Sequence, residues 1–330
     1  MADGAARRLQ RIDDYPALLN EAWAQAHAPR EANAPTVIST FAGCGGSSLG
    51  YHMAGFRELL AVEWEQNAAD TFRLNFPHVP LYHGDIAKLS VDECLRLAGV
   101  KPGELTVFDG SPPCQGFSTS GKRELGDARN QLFREYCRLL EGLRPRAFVM
   151  ENVSGMVKGN FKIVFAEILR ALKRCGYRVK ARLLNAMFYG VPQSRERMIF
   201  IGIREDIGRE PSHPAGWSEP IRAGEVHPHF AAVLRSGSRD NWVASDSIFP
   251  TITKAAGTTS RTGYMSGGHF VRTRDGQERR PSLREFQMLG SFPESFVFCG
   301  AREDGVERIG NSVPPLLMRS VAAHVRALVS

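Results

Sequence analysis

The stretch TVISTFAGCGGSSLG, residues 36–50, decides the fold. Its first part, TVISTFAG (36–43), is β-branched and apolar and reads as a buried strand. Gly43, Gly45 and Gly46 follow, and residues without a Cβ let the backbone turn sharply and come close to a ligand at the start of a helix. A second strand, ELLAVEWE (58–65), ends around Glu63, 20 residues beyond Gly43. In dinucleotide-binding sheets an acid at that place accepts hydrogen bonds from ribose hydroxyls. These residues alone serve a nicotinamide dehydrogenase and an S-adenosylmethionine enzyme equally.

Working outward, strand-like runs at 79–85, 104–110, 147–152, 177–186 and 197–203 alternate with helical apolar spacing at 130–143 and 160–176. That alternation predicts an α/β fold with a mostly parallel, doubly wound sheet. From 205 to 280 the chain turns rich in Gly, Ser, Thr, Pro and Arg, with isolated aromatics at Trp217, Phe230, Trp242, Phe249, Tyr264 and Phe270, which predicts a smaller, irregular lobe. Residues before 36 read as a surface helix or two and a loose linker, with no apolar signal core. No apolar run approaches the roughly 18 residues of a membrane span. Cysteines at 44, 94, 114, 137, 175 and 299 form no CxxC pair and no metal-spaced cluster. The expectation is a cytoplasmic protein without a metal. Net charge is +7, and between Arg170 and Arg204 nine Lys/Arg stand against Glu196 alone, which points to a polyanion or to a solvated face.

The stretch GSPPCQGFS (110–118) separates the two cofactor classes. Pro112 and Pro113 exclude helix and central strand and hold Cys114 in a pre-set turn just past the strand ELTVFDG (104–110). In open α/β sheets ligands bind at such strand ends. A Pro-Pro-Cys loop is a poor place to bury a structural thiol and a good one to present a nucleophile.

With these motifs in hand, the chain from about Thr36 onward resembles the DNA cytosine-5 methyltransferases of prokaryotic restriction-modification type. FAGCGGSSLG is similar to the family's cofactor loop and GSPPCQGFS to its nucleophile loop. ENV (151–153), QSRER (193–197) and GNSVPP (310–315) match its later motifs in order, with RNQLFREY (129–136) between. Two departures are visible: Ser39 stands where many relatives have Asp, and Leu283 in RRPSLREFQMLGSFP (279–293) where Pro is commoner. Ser282 and Glu285 in that segment also form an S-x-x-E capping box.

The resemblance implies a Rossmann-like S-adenosylmethionine-dependent fold, with S-adenosylhomocysteine as product and no metal. It implies that Cys114 adds to carbon 6 of cytosine and that Glu151 serves the ring nitrogen as an acid, which burial of a carboxylate favours. Arg195 would contact the cytosine carbonyl, Arg197 would place the catalytic loop or thiolate, and water would take the last proton. In the cofactor site it implies the loop Gly43, Gly45 and Gly46, with Pro112, Phe41 on adenine, Glu63 on ribose and Asp85 on the adenine amino group. Trp64 reads as an adenosine contact or as core packing. Asn311 and Ser312 join from the far end, so the carboxyl-terminal helix must return to the large lobe.

Double-stranded DNA is the implied partner, with the base flipped out. Phe117 to Arg129 would be a lid in which Ser118, Lys122 and Arg123 meet DNA. In the 205–280 lobe Thr251 and Ile252 would lie near the base, and Arg235, Arg239, Arg261, Arg272 and Arg274 would meet groove or phosphates. The implied domains are an extension (1–35), a catalytic and cofactor-binding domain (36–204), a target-recognition domain (205–280), a hinge (281–308) and a returning helix (309–330). A monomer is expected, beside a restriction endonuclease that acts independently. A transfer RNA cytosine-5 methyltransferase shares fold and motifs and stays open as the alternative. A dehydrogenase and an inactive DNA-binding relative fit the motifs less well.

Overall fold

The computed structural model describes residues 9–113, 131–153, 155, 162–234, 241–256 and 269–330. Cys114, Ser118, Lys122, Arg123, Arg235, Arg239, Arg261 and the whole of the expected lid lie outside the described residues.

The chain opens with α1 (Tyr15–His27), then β1 (Thr36–Thr40), α2 (Gly46–Met53), β2 (Arg57–Glu63), α3 (Gln66–Asn75), β3 (Leu81–His83), α4 (Val91–Ala98) and β4 (Val107–Gly110). α5 (Gln131–Leu143), β5 (Ala147–Val153), α6 (Lys162–Arg174), β6 (Tyr177–Asn185) and β7 (Glu196–Arg204) complete a seven-stranded sheet of order β3-β2-β1-β4-β5-β7-β6. The first five strands of that order run parallel, and β7 is antiparallel to both its neighbours. One core packs α1, α2 and the carboxyl-terminal helix on one face, and a second packs α4, α5 and α6 on the other. The mostly parallel, doubly wound α/β sheet expected from the sequence is present. Strand order reverses at β1 and β4, and a crevice opens there at the carboxyl ends of the strands.

Past the sheet come α7 (Ala223–Val226), β8 (Phe230–Leu234), β9 (Trp242–Ala244), β10 (Phe270–Thr273) and β11 (Glu278–Arg279), then α8 (Leu283–Leu289), α9 (Arg302–Asn311) and α10 (Pro315–Val329). The four short strands form an antiparallel sheet of order β11-β10-β8-β9 around buried Phe230, Val233 and Val271. The capping box at Ser282 and Glu285 is present. Glu285 also binds Arg279 of β11 and His229 beside β8, which fastens this sheet to α8.

The amino-terminal extension departs from expectation. Asp14 caps α1, whose Tyr15, Leu19, Ala22 and Ala26 are buried, and the Tyr15 hydroxyl donates to the Met288 carbonyl at 3.0 Å. The linker is not loose: Arg30 donates to carbonyls of Gln25, Ala26 and His52 at 2.7, 3.1 and 2.5 Å, tying the end of α1 to the end of α2. At the other terminus α10 lies on α2 so closely that a Cβ on Gly50 would stand 2.6 Å from Met318 Cβ and 2.7 Å from the Pro315 carbonyl oxygen.

The basic run 170–204 does not form one face. Arg178, Lys180 and Arg182 stand exposed on edge strand β6, where charge discourages pairing with another sheet, and Glu210 binds the first two. Arg195 is buried, and Arg197 lies in the crevice.

Candidate active site

The crevice is a cavity of about 890 Å³. One wall is made by the turn after β1 and the end of β2. Phe41 takes a left-handed φ of 54°, and Gly43 and Gly45 follow at 57° and 98°. A Cβ at Gly45 would fall 2.4 Å from the Phe76 ring, and one at Gly46 would fall 2.6 Å from the Val313 carbonyl oxygen, so this wall needs hydrogen at both places. The 20-residue spacing proves to be a hydrogen bond: Gly43 N–H donates to Glu63 Oε2 at 2.7 Å. Glu63 Oε1 accepts from the N–H groups of Trp64 and Glu65 at 2.9 and 2.8 Å. Of its roughly four acceptor positions about one remains for a ligand hydroxyl. Trp64 is 70% exposed on the cavity, which removes the core-packing reading. Asp85 lines the cavity while its carboxylate caps the turn at Ala87 N–H, 2.9 Å.

The opposite wall joins segments that are remote in sequence. Glu151, at the end of β5, pairs through Oε1 with Arg197 Nε at 2.8 Å, and both side chains are largely buried. Asn152 Nδ2 donates to the Pro112 carbonyl at 3.1 Å, which anchors the chain two residues before Cys114 to the strand carrying Glu151. Pro112 and Pro113 line the cavity.

Arg195 is 1% exposed. Its Nη1 donates to the Ile252 carbonyl at 2.7 Å, and its Nη2 to the carbonyls of Gly310 and Ser312 at 2.7 and 2.8 Å. Its Nε is buried without a partner, although the residue lines the cavity. Burial lowers its pKa well below the usual arginine range, and neighbouring Arg197 adds to this. Gln193, quoted in the motif but given no role, bridges as well: Oε1 accepts from Ile252 N–H at 3.0 Å, and Nε2 donates to the Leu289 carbonyl at 3.2 Å. Gly310 sits flat on the backbone of Thr253 and Lys254, where a Cβ would come within 2.5 Å. Thr251, Ile252, Asn311 and Ser312 thereby reach one cavity.

Two further lining residues were given no role from the sequence. Arg308 of α9 forms an ion pair with Glu65, the cap of α3. Cys44 lies against Ser312 Oγ at 3.2 Å, and burial pushes its thiol up to about 11, so it stays protonated and is no rival nucleophile. Of the expected DNA contacts, Thr251 donates through Oγ1 to the Ser194 carbonyl at 2.6 Å. Arg272 is engaged by Glu278 and stacks 4.5 Å from the Trp242 ring centroid, and Arg274 is exposed past β10; neither lines the cavity. Among the described residues no group of three or more His, Cys, Asp or Glu is placed to hold a metal, and no helix is long and apolar enough to cross a membrane.

The site suits S-adenosylmethionine. The turn after β1 lines one side of the cavity at Gly43 and Gly46, a carboxylate with spare acceptor capacity and an exposed indole stand beside it, and Asn311 and Ser312 close the far side.

Comparison with known proteins agrees. The model of the C-5 cytosine-specific DNA methylase family matches residues 35–227 and 218–327. The chain is 36% identical to Type II methyltransferase M1.HphI of Haemophilus parahaemolyticus, over 88% of this chain and 86% of that protein. It is 30% identical to Type II methyltransferase M.NgoPII of Neisseria gonorrhoeae, over 92% and 98%. In fold it is similar to a mutant DNMT2 of Spodoptera frugiperda, with a TM-score of 0.66 and 19% identity over 90% of this chain and all of that one.

Proposed function

The chain belongs to the C-5 cytosine-specific DNA methylase family, and from this we propose that it methylates carbon 5 of a cytosine flipped out of a short specific duplex sequence, through a Cys114 adduct at carbon 6. The observation that carries the reading is the Glu151–Arg197 pair on the cavity wall, joined through Asn152 to the Pro112 carbonyl just before Cys114.

When bound, S-adenosylmethionine supplies an electrophilic sulfonium methyl. Phe41, Gly43, Gly45, Gly46, Glu63, Trp64, Asp85, Pro112, Asn311 and Ser312 hold it. The Cys114 thiolate adds to carbon 6, and charge moves onto ring nitrogen 3 and the carbonyl oxygen. Glu151 holds a proton at nitrogen 3. We assign the contact with the cytosine carbonyl, first expected of Arg195, to Arg197. Arg195 lines the cavity but has its outer nitrogens committed to three carbonyls, so it positions the wall. Arg197, beside Glu151 on the cavity, contacts the cytosine carbonyl.

Residues 205–280 act as the target-recognition domain, 281–308 as the hinge and 309–330 as the returning helix. Ser118, Lys122, Arg123, Arg235, Arg239, Thr251, Arg261, Arg272 and Arg274 remain its proposed DNA contacts. The protein works as a monomer, independently of any endonuclease. Relatives named as Type II methyltransferases favour DNA over transfer RNA.

Duplex DNA with 5-fluorocytosine at the target tests the chemistry, because fluorine cannot leave carbon 5 as a cation. The expected result is a complex that survives denaturing electrophoresis and maps to the Cys114 peptide. No adduct at a site shown to be methylated, or an adduct on another cysteine, overturns it.

A further inference from the structure

Thr251 and Ile252 line the cavity on a strip of chain that is held from two sides. From the large sheet, Ser194 N–H donates to the Phe249 carbonyl at 2.8 Å, and Thr251 Oγ1 donates to the Ser194 carbonyl at 2.6 Å. Gln193 and Arg195 take the amide and the carbonyl of Ile252. From the small lobe comes His269, the residue before β10, whose Nε2 lies 3.0 Å from the Thr251 carbonyl oxygen. A carbonyl can only accept, so Nε2 carries the hydrogen. The other ring nitrogen, Nδ1, is buried without a partner, and the ring centroid lies 5.2 Å from that of Phe249 and 6.3 Å from that of Phe286. Burial lowers the His269 pKa more than the bond to Thr251 raises it, so the imidazole stays neutral. At 2% exposure, with one nitrogen unused, the ring is a prop for a backbone oxygen.

The prop joins two parts that the proposed function assigns different tasks. β10 pairs with β8 and β11, so a tilt of the small sheet moves His269, and the Thr251 carbonyl with it. His269 itself does not line the cavity and acts through Thr251.

Resting on the reading that this chain methylates cytosine in duplex DNA, we propose that His269 is a positioning residue for the target base: it fixes the Thr251 carbonyl, so that the seating of the small sheet on DNA sets the face that Thr251 and Ile252 present to the flipped pyrimidine. A correct sequence seats the sheet and brings that face to the base. A wrong one leaves the face displaced, and transfer slows although the phosphates are still held. His269 therefore acts on turnover and on the choice of site rather than on DNA affinity.

Bisulfite sequencing of DNA from a host expressing the parent gives the methylated site, and duplexes carrying that site or a one-base variant of it are the substrates. His269→Phe keeps a ring and removes the donor, whereas His269→Gln carries an N–H near the place of Nε2. The Phe variant should lose about tenfold in kcat on the true site, and its preference over the variant site should fall by a similar factor, with KM for DNA and S-adenosylhomocysteine affinity unchanged. The Gln variant should regain most of both. A Phe variant that melts lower but keeps parental kcat and preference would make His269 merely structural and overturn the proposal. Equal losses in the Phe and Gln variants, or a loss confined to KM, would overturn it as well. Should the Phe variant not fold, His269→Asn, whose shorter amide stops short of the Thr251 carbonyl, makes the same comparison with Gln. A parent that methylates no cytosine in DNA overturns the proposed function and this proposal with it; a parent that methylates while the variants behave as it does overturns this proposal alone.

Discussion

The two walls of the cavity are built by different means. The wall of residues 41–46 and 63–65 is local and made of backbone: glycines that leave room and amides that fix one carboxylate. The wall of residues 193–197, 251–254 and 310–312 joins three distant segments, and the side chains of Arg195 and Gln193 hold them together. The first tolerates no added atom at its tight glycines. The second tolerates no lost one.

The largest effect should come from removing the bolt of the second wall. Arg195→Ala deletes three short charge-assisted bonds and leaves the carbonyls of Ile252, Gly310 and Ser312 buried with fewer donors. The expected cost is about 3–5 kcal/mol in urea unfolding. Arg195→Lys should recover less than half, because one ammonium cannot reproduce a planar fork that spans several carbonyls. A loss of under about 1 kcal/mol would mean that packing, not this side chain, assembles the wall.

Next is the first wall. Gly46→Ala drives a Cβ to 2.6 Å from the Val313 carbonyl oxygen and 2.9 Å from Ser312 Cβ, neighbours that belong to α10's approach and cannot swing aside. Overpacking of that kind costs about 1–3 kcal/mol. Gly43→Ala meets nothing within 4 Å and pays only for its φ of 57°, about 1 kcal/mol. S-adenosylhomocysteine titration with thermal unfolding should rank Gly46→Ala as the more damaging to stability. The reverse ranking would show that φ, not room, is what this turn conserves.

The same contrast explains what the sequence could reveal. The strands of the large sheet were legible because the inner ones are short apolar runs bounded by turn residues and β6 alternates apolar with charged residues, and the first wall because its partners lie within one βαβ unit. The second wall was legible only as motifs. Nothing in QSRER says that Arg195 meets carbonyls 57, 115 and 117 residues away, so its guanidinium was expected on the substrate. The docking of α1 was hidden for a similar reason: Tyr15, Leu19, Ala22 and Ala26 make a modest apolar face whose partner, α10 with α2, assembles from both ends of the chain. The capping box of α8 was legible, but not the use of its Glu285 by Arg279 and His229.

That last cluster gives the second wall an acid sensitivity that the first lacks a visible reason for. Gln193 hangs on the Leu289 carbonyl of α8, and Glu285 fastens α8 to the small sheet. Burial works to raise the Glu285 pKa, but Arg279, the Ser282 N–H and His229 outweigh it and hold it at about 2, against 4.5 in an unfolded chain. A carboxylate depressed on folding stabilises above the unfolded value, and the contribution disappears as pH falls from about 4.5 to 2. Since His229 and Arg279 are partly solvated, about 1–2 kcal/mol is expected, less than the full shift implies. Arg279→Ala should therefore destabilise at pH 7 and do so much less near pH 3. Equal losses at both values would dissociate Glu285 from the effect.

The smallest expected change lies behind the first wall and has the opposite sign. Ser39, in the middle of β1, is fully buried, and its Oγ has no hydrogen-bond partner. Many relatives were expected to carry an acid here, yet this chain already buries Asp109, paired with Tyr51, on the adjoining strand at the same register. Burial and the nearby Glu58 and Glu151 already push the Asp109 carboxyl well up, so another acid would add a costly charge. The serine is a small remainder that keeps a hydroxyl with nothing to bond. Ser39→Ala removes an unsatisfied donor without opening a cavity of consequence, and should raise unfolding stability by about 0.5–1 kcal/mol while leaving cofactor affinity unchanged. A loss of stability would reveal a bond to Ser39 that the packed sheet conceals, and the first wall would then rest on a side chain, as the second does.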